Sequence, residues 1–213
     1  MTTSKNTLKH IEKTQILEME SRFRANFINS LSGFKSVGLI GTISKENTTN
    51  LAIFSQVFHL GANPALMGCI VRPDVSPRHS LENIEAMQFF TFNHINEKFY
   101  KKAHQTSARY PREVSEFEAT GLTPHFEKGF VAPYVKESEF RIGLKLEEKH
   151  HLSINATILL IASVEEVWLN EEIIEKDGYL DIEKAGTITS SCLDSYHTTQ
   201  RLDRLPYAKP KPF

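Results

Sequence analysis

The chain has 213 residues, 40% of them hydrophobic, enough to bury a sizeable core within one domain. Its 25 Lys and Arg against 26 Asp and Glu leave a formal charge of -1, so no basic field exists to hold a nucleic-acid backbone. The first residues carry no apolar leader and no run of about 18 apolar residues occurs, so a cytoplasmic protein with neither membrane nor nucleic-acid partner is expected.

Residues 10–31 place Ile16, Met19, Phe23 and Phe27 at helical spacing, which predicts an N-terminal helical segment that Ser32 and Gly33 end. Val37, Leu39, Gly41 and Ile43 then alternate with their neighbours, and the polar "KENTTN" returns the chain into a second run, Leu51 to Phe58. This predicts a β-hairpin. "ALMGCIV" reads as a third strand, Ser80 to Met87 as a short helix and "QFFTFNHI" as a fourth strand.

"NEKFYKKAHQTSARY" predicts a helix stopped by Pro111, with Phe99, Ala103, Thr106 and Tyr110 on a buried stripe. Tyr100, His104 and Ser107 share a neighbouring stripe, able to point together at something held against the helix. "VSEFEATGLTP" adds a shorter helix closed by Gly121. Further on, Phe140, Ile142, Leu144 and Leu146 alternate with charged residues, as in a sheet wet on one face. "TILLIASVEEVWL" is more apolar and reads as more central.

No linker or fixed-period repeat divides the chain, so a single domain over residues 1–213 is expected, with an extended tail at 201–213. The fold class is mainly β, a barrel or sandwich of antiparallel strands with peripheral helices.

The richest candidate site is Arg72 to Ile84. A helix starting near Ser80 offers free N–H groups and a positive dipole end, and Arg72, Arg78, His79 and Ser80 surround it with donors, a place suited to phosphate. The competing reading is a plain cap at Ser76 or Ser80, with Pro77 in the first turn, and composition alone favours it. In "TNLAIFSQV", Asn50, Ala52, Phe54 and Gln56 share one strand face, and Leu51, Ile53, Ser55 and Val57 the other. Such mixed polarity suits a flat ring with a heteroatom rim, although an ordinary strand tolerates it too. His104 is a candidate proton donor or anion contact, against the plainer reading of a surface residue. No metal site is expected: Cys69 and Cys192 stand alone, His150 and His151 point to opposite faces of a strand, and H-E-x-x-H and C-x-x-C are missing. The hydrolase motif G-x-S-x-G, the phosphate loop and the dinucleotide fingerprint are missing as well.

The ordered succession "FINSLSGFKSVGLIGT", "NLAIFSQVFHLGANPALMGCIVRP", "RHSLENI", "FTFN", "KAHQTSARY", "SEFEATGLTP", "DGYLDIE" and "RLPYAKP" resembles the flavin reductase-like family. The match runs from Phe27 to Pro210. It implies an FMN-binding split barrel with Greek-key antiparallel strands, a homodimer, and non-covalent FMN near the subunit interface. By resemblance, Asn50, Leu51, Ala52, Phe54, Ser55, Gln56 and Val57 lie along the isoalloxazine ring, partly through backbone amides. Arg72, His79, Ser80 and Asn83 fall at the phosphate end, where this chain has His79-Ser80 in place of the acidic residue and threonine of many members. His104, Ser107 and Tyr110 become neighbours of flavin or substrate. The implied activity is hydride transfer from NADH or NADPH to FMN, with electrons passed to free flavin, a partner protein or oxygen, and no protein residue acting as catalytic acid or base. An FMN-holding electron carrier reduced by a partner, or a related split-barrel oxidase, is the alternative.

Overall fold

The computed structural model describes residues 7–73 and 77–211. Two helices come first, α1 (Lys13–Glu18) and α2 (Ser21–Leu31), then strands β1 (Lys35–Ser36), β2 (Gly38–Ile43), β3 (Thr49–Phe54), β4 (Val57–Ala62) and β5 (Ala65–Val71). Helix α3 (His79–Met87) leads into β6 (Phe89–His94), followed by α4 (Tyr100–Gln105), α5 (Glu116–Thr120) and the short strands β7 (Pro124–His125) and β8 (Tyr134–Val135). A long hairpin, β9 (Phe140–Leu152) and β10 (Thr157–Leu169), precedes a 3-10 turn and the strands β11 (Thr189–Ser191) and β12 (Ser195–His197).

Seven strands form one antiparallel sheet in the order β3-β2-β6-β9-β10-β5-β4. The predicted hairpin is β2 with β3, in register from Gly38↔Phe54 to Ile43↔Thr49. The predicted single strand from Leu51 to Phe58, however, is two strands that lie at opposite edges of the sheet. Only Ser55 and Gln56 join them. Laid flat, seven strands would hold their outer edges about 29 Å apart at roughly 4.8 Å per neighbour, whereas three Cα steps reach no more than about 11 Å. The sheet must therefore curl until its edges meet at this corner. It forms a barrel split along the β3–β4 seam, with no strand pairing across the seam among the described residues. At the corner, Ile70 N–H already donates to the Gln56 carbonyl at 2.9 Å, which draws the chain onto β5.

Two large cores hold this shape, with a small third cluster of Phe130, Ala132 and Tyr134 beside them. Inside the barrel, Ile40, Phe90, Phe92, Leu144 and Leu160 meet Leu81 and Ile84 of α3. On the outer side, Leu39 and Leu51 meet Phe99 and Ala103 beside α4 and Phe117 of α5. Successive residues of β2 thus point into different cores, so the strand is buried throughout rather than wet on one face. Gly41 is required there, because a Cβ would overlap the Pro133 carbonyl oxygen. Thr91 Oγ1 donates to that carbonyl at 2.7 Å, and Asn93 ties β6 to Leu39 O at 3.0 Å and accepts from Val135 N–H at 2.9 Å.

Three other expectations shift. The N-terminal segment is two helices, because the Glu20 carboxylate accepts from Arg22 and Phe23 N–H and starts α2 afresh. The helix expected up to Tyr110 ends at Gln105, with Thr106 Oγ1 turned back onto Ala103 O at 2.8 Å. Within residues 35–94 there are six strands rather than four. The C-terminal tail begins on the body of this chain: Arg204 reaches Glu175 at 2.6 Å and Asp177 at 2.5 Å, and its guanidinium lies over Tyr179. No helix among the described residues is long and apolar enough to cross a membrane.

Candidate functional site

The corner between β3 and β4 opens into a cavity of about 630 Å³. Strand β3 supplies one wall. Because β3 is an edge strand, half of its backbone groups face β2 and the other half face outward. Leu51 N–H fixes the phase, since it points away from β2 and donates to the Glu116 carboxylate at 2.9 Å. Strand alternation then turns the N–H of Ile53 to that same free edge, and both Ile53 and Ser55, the residue just past the strand, line the cavity. This free strand edge, beside the partly buried side chains of Ala52 and Phe54, suits the edge of a flat, polar-rimmed ring.

The start of α3 supplies the opposite end. The helix has no side-chain cap, so among the described residues its first-turn N–H groups remain available. Ser80 does not cap it. Its hydroxyl accepts from Asn50 Nδ2 at 2.8 Å, which pins β3 to the helix start. Ser76 lies outside the described residues, and Pro77 precedes the first helical turn. Arg72, Arg78 and His79 line this end, and Arg109 and Arg112 come in from the loop after α4. Arg78 is folded back onto the Pro73 carbonyl at 3.1 Å, and Arg112 pairs with Glu82. Arg72 and Arg109 have no carboxylate partner among the described residues, so the cavity mouth carries uncompensated positive charge.

The third wall comes from far along the chain. Strand β1 pairs with β11 through Lys35↔Ser190, and β11 pairs with β12 through Ser190↔Tyr196. Lys35 Nζ donates to Cys192 O at 2.6 Å and to Asn29 O at 3.4 Å, which locks this wall to the end of α2. Ser190 is buried, lines the cavity, and its hydroxyl has no hydrogen-bond partner among the described residues. A buried orphan hydroxyl facing a cavity is a group that a polar ligand atom would satisfy. Tyr196 lines the cavity too, and its hydroxyl shares a hydrogen bond of 2.8 Å with His104 Nδ1. Burial and the nearby Asp194 push Tyr196 up to about 12, so it stays neutral at physiological pH.

The cavity thus gathers Ala52, Phe54, Ser55 and Gln56 from the β3 side and Arg72, His79 and Ser80 from the α3 start, with Asn50 at the junction where it bonds Ser80; Ser107 and Tyr110 line it as well. Leu51 and Val57 are elsewhere, because their side chains enter the outer and inner cores. Asn83 faces the interior, where it donates to Thr42 Oγ1 at 3.1 Å and holds α3 on β2. His104 stands behind Tyr196 instead of in the cavity. Sequence reasoning did not single out Ser190, Tyr196 or Glu116. The "TSSC" run has no periodicity to flag, and Glu116 reads as an ordinary acidic residue in the first turn of a helix.

A buried carboxylate in this setting is unusual. Glu116 is 6% exposed and lines the cavity. Burial raises its carboxyl above the usual range, opposed by the Leu51 N–H, by its own N–H and by the charge of His79.

The seven-stranded antiparallel sheet, split at the β3–β4 corner, is the split-barrel fold of flavin reductase-like proteins. Residues 34–185 match the model of the flavin reductase like domain, and the chain belongs to that family. A split-barrel-domain protein from Shewanella frigidimarina that carries a flavin reductase assignment is 50% identical, with a TM-score of 0.91 over 94% of this chain and 100% of that one. Nitrilotriacetate monooxygenase component B from Bacillus cereus superposes with a TM-score of 0.82 at 23% identity, over 94% of this chain and 100% of its own. An FMN-binding protein from Thermus thermophilus does so with 0.68 at 16% identity, over 83% and 93%. The last two show the fold alone. The chain is a flavin-related oxidoreductase, and the cavity lining offers groups of the kind a flavin needs: the free edge of β3, the orphan Ser190 hydroxyl, and Arg72 beside the start of α3.

Proposed function

We propose that the protein is an NAD(P)H-dependent flavin reductase that holds FMN non-covalently in this cavity. The observation that carries the reading is the pairing of a free amide edge on β3 with an uncapped, arginine-flanked helix start across one cavity. When bound, FMN supplies the redox chemistry, taking a hydride from reduced nicotinamide and passing electrons to free flavin or a partner protein. The chain's residues bind and orient. Ile53 N–H, beside Ser55, stabilises negative charge at the ring edge, Arg72, His79 and Ser80 anchor the phosphate, and the loop from Ser107 to Arg112 borders the open side where nicotinamide enters.

The test is anaerobic addition of NADPH or NADH to FMN-loaded protein, followed by absorbance. Loss of the flavin absorption within seconds to minutes is expected with one of the two. Retained colour with both nucleotides, followed by bleaching on addition of a reduced partner protein, would replace the reductase reading with that of an electron carrier.

We also propose that two copies associate. Helices α1 and α2 bury no residue, and Leu17, Phe23 and Leu31 stay 62%, 61% and 64% exposed, an apolar face of the kind that interfaces cover. Elution of the protein at monomer mass in sizing chromatography would contradict this.

A further inference from the structure

We propose that Glu116 is the residue that binds the polyol chain of the cofactor, the ribityl segment between ring and phosphate. The inference rests on the flavin reading above and extends it to a group that neither the sequence pattern nor the family match assigns.

The Glu116 carboxylate is fixed in place at Leu51 N–H, one residue from Asn50, whose side chain is tied to Ser80 at the start of α3. In the other direction, Ile53 N–H is about 7 Å further along the strand, and Ser55 lies just past the strand's end. Glu116 therefore sits between the ring end and the anion end of one cavity. FMN offers at that place a chain of three hydroxyl groups.

The chemistry of the carboxylate points the same way. Oε2 is used by Leu51, whereas Oε1 takes no hydrogen bond from another described residue, and the side chain lines the cavity. A carboxyl in either protonation state keeps acceptor lone pairs free here, which a donor from its ligand can fill. Among the three parts of FMN, the phosphate repels it and the ring edge is served by the β3 amides. Hydroxyls are neutral donors, and a hydrogen bond to a charged acceptor is among the stronger ones. The buried setting favours such a partner further, because a half-satisfied buried carboxyl gains most from an added donor.

Three flavins separate this role from the others: FMN carries ring, polyol and phosphate, riboflavin lacks the phosphate, and lumiflavin lacks both phosphate and polyol. Fluorescence-quenching titrations would be run with wild type, Glu116→Ala and Glu116→Gln, alongside the melting temperature of each apoprotein. Glu116→Ala is expected to weaken FMN and riboflavin by the same factor, about tenfold or more, and to leave lumiflavin within about twofold. Glu116→Gln keeps an acceptor for Leu51 N–H, so even if the alanine variant does not fold it should lose about threefold for FMN and riboflavin alone. Equal losses for all three flavins would overturn the inference in favour of a purely structural role. Tighter FMN binding with riboflavin unchanged would overturn it as well, reducing the carboxylate to a phosphate repellent. Wild-type protein that binds none of the three would overturn the flavin reading itself, and this inference with it.

Discussion

Replacing Arg72 with alanine is expected to weaken FMN binding by about 1.5–3 kcal/mol, roughly a 10- to 150-fold rise in Kd, while leaving the apoprotein as stable as before. Arg72 follows β5 directly, is exposed, and has neither a hydrogen bond nor an ion pair among the described residues. Its removal therefore costs the fold little. Its charge instead adds to a cavity end already formed by the α3 start. Riboflavin, without a phosphate, should bind the variant as well as it binds wild type. Fluorescence titration at two salt concentrations checks both points, since the wild-type advantage should shrink as salt screens an exposed charge. An unchanged Kd for FMN would remove Arg72 from the phosphate site. Arg112→Ala is the contrasting substitution, because that guanidinium is already engaged by Glu82 and both side chains are about half exposed. A smaller loss is expected there.

The second large effect is acid lability centred on His94. Its ring stacks on Phe140 with centroids 4.0 Å apart and planes at 19°, and it stands edge-on to Phe92 at 5.6 Å. Nδ1 shares a hydrogen bond of 3.0 Å with Thr187 Oγ1, which links β6 to the segment before β11. Burial holds the imidazole down at about 4, against an ordinary 6.5. Above pH 6.5 the ring is neutral in the folded and the unfolded chain, and the group contributes no pH dependence. Between pH 6.5 and 4 only the unfolded chain takes up the proton, so stability falls as pH falls. The loss is about 2 kcal/mol at pH 5 and about 3 kcal/mol once the folded form titrates as well. Urea unfolding of wild type and His94→Asn at pH 7.5 and pH 5 isolates it, because every other titrating group is common to both proteins. The variant should lose about 2 kcal/mol less than wild type between the two pH values. Equal losses would show that His94 is protonated as readily in the folded state.

Much of this architecture is legible in local patterns. The hairpin of β2 and β3 follows from alternation on either side of "KENTTN", and α3 and β6 fall within a residue or two of their expected bounds. The break at Ser55-Gln56 is not legible. The run from Thr49 to Leu60 holds neither glycine nor proline, and what divides it is the closure of the sheet on itself. That event belongs to tertiary structure. The break before α2 has a local cause, but a glutamate acting as N-cap is hard to tell from one inside a helix.

The site divides along the same line. Residues near in sequence to β3 and α3 could be named together, because strand alternation and the helix start bring them to one cavity. The same alternation takes Leu51 and Val57 out of it and into the two cores. Ser190 and Tyr196 reach the cavity only through the pairing Lys35↔Ser190, a contact between distant parts of the chain with no counterpart in local periodicity. Glu116 was hidden in a different way. Its chemistry comes from being buried against the free edge of β3, and nothing in "SEFEATG" announces that.

The most direct test of flavin binding at this corner is the visible absorbance of purified protein after incubation with FMN and removal of the excess by gel filtration. Yellow protein is expected, with flavin absorption co-eluting at one FMN per chain. Colourless protein, with all the FMN recovered in the small-molecule fraction, would contradict it.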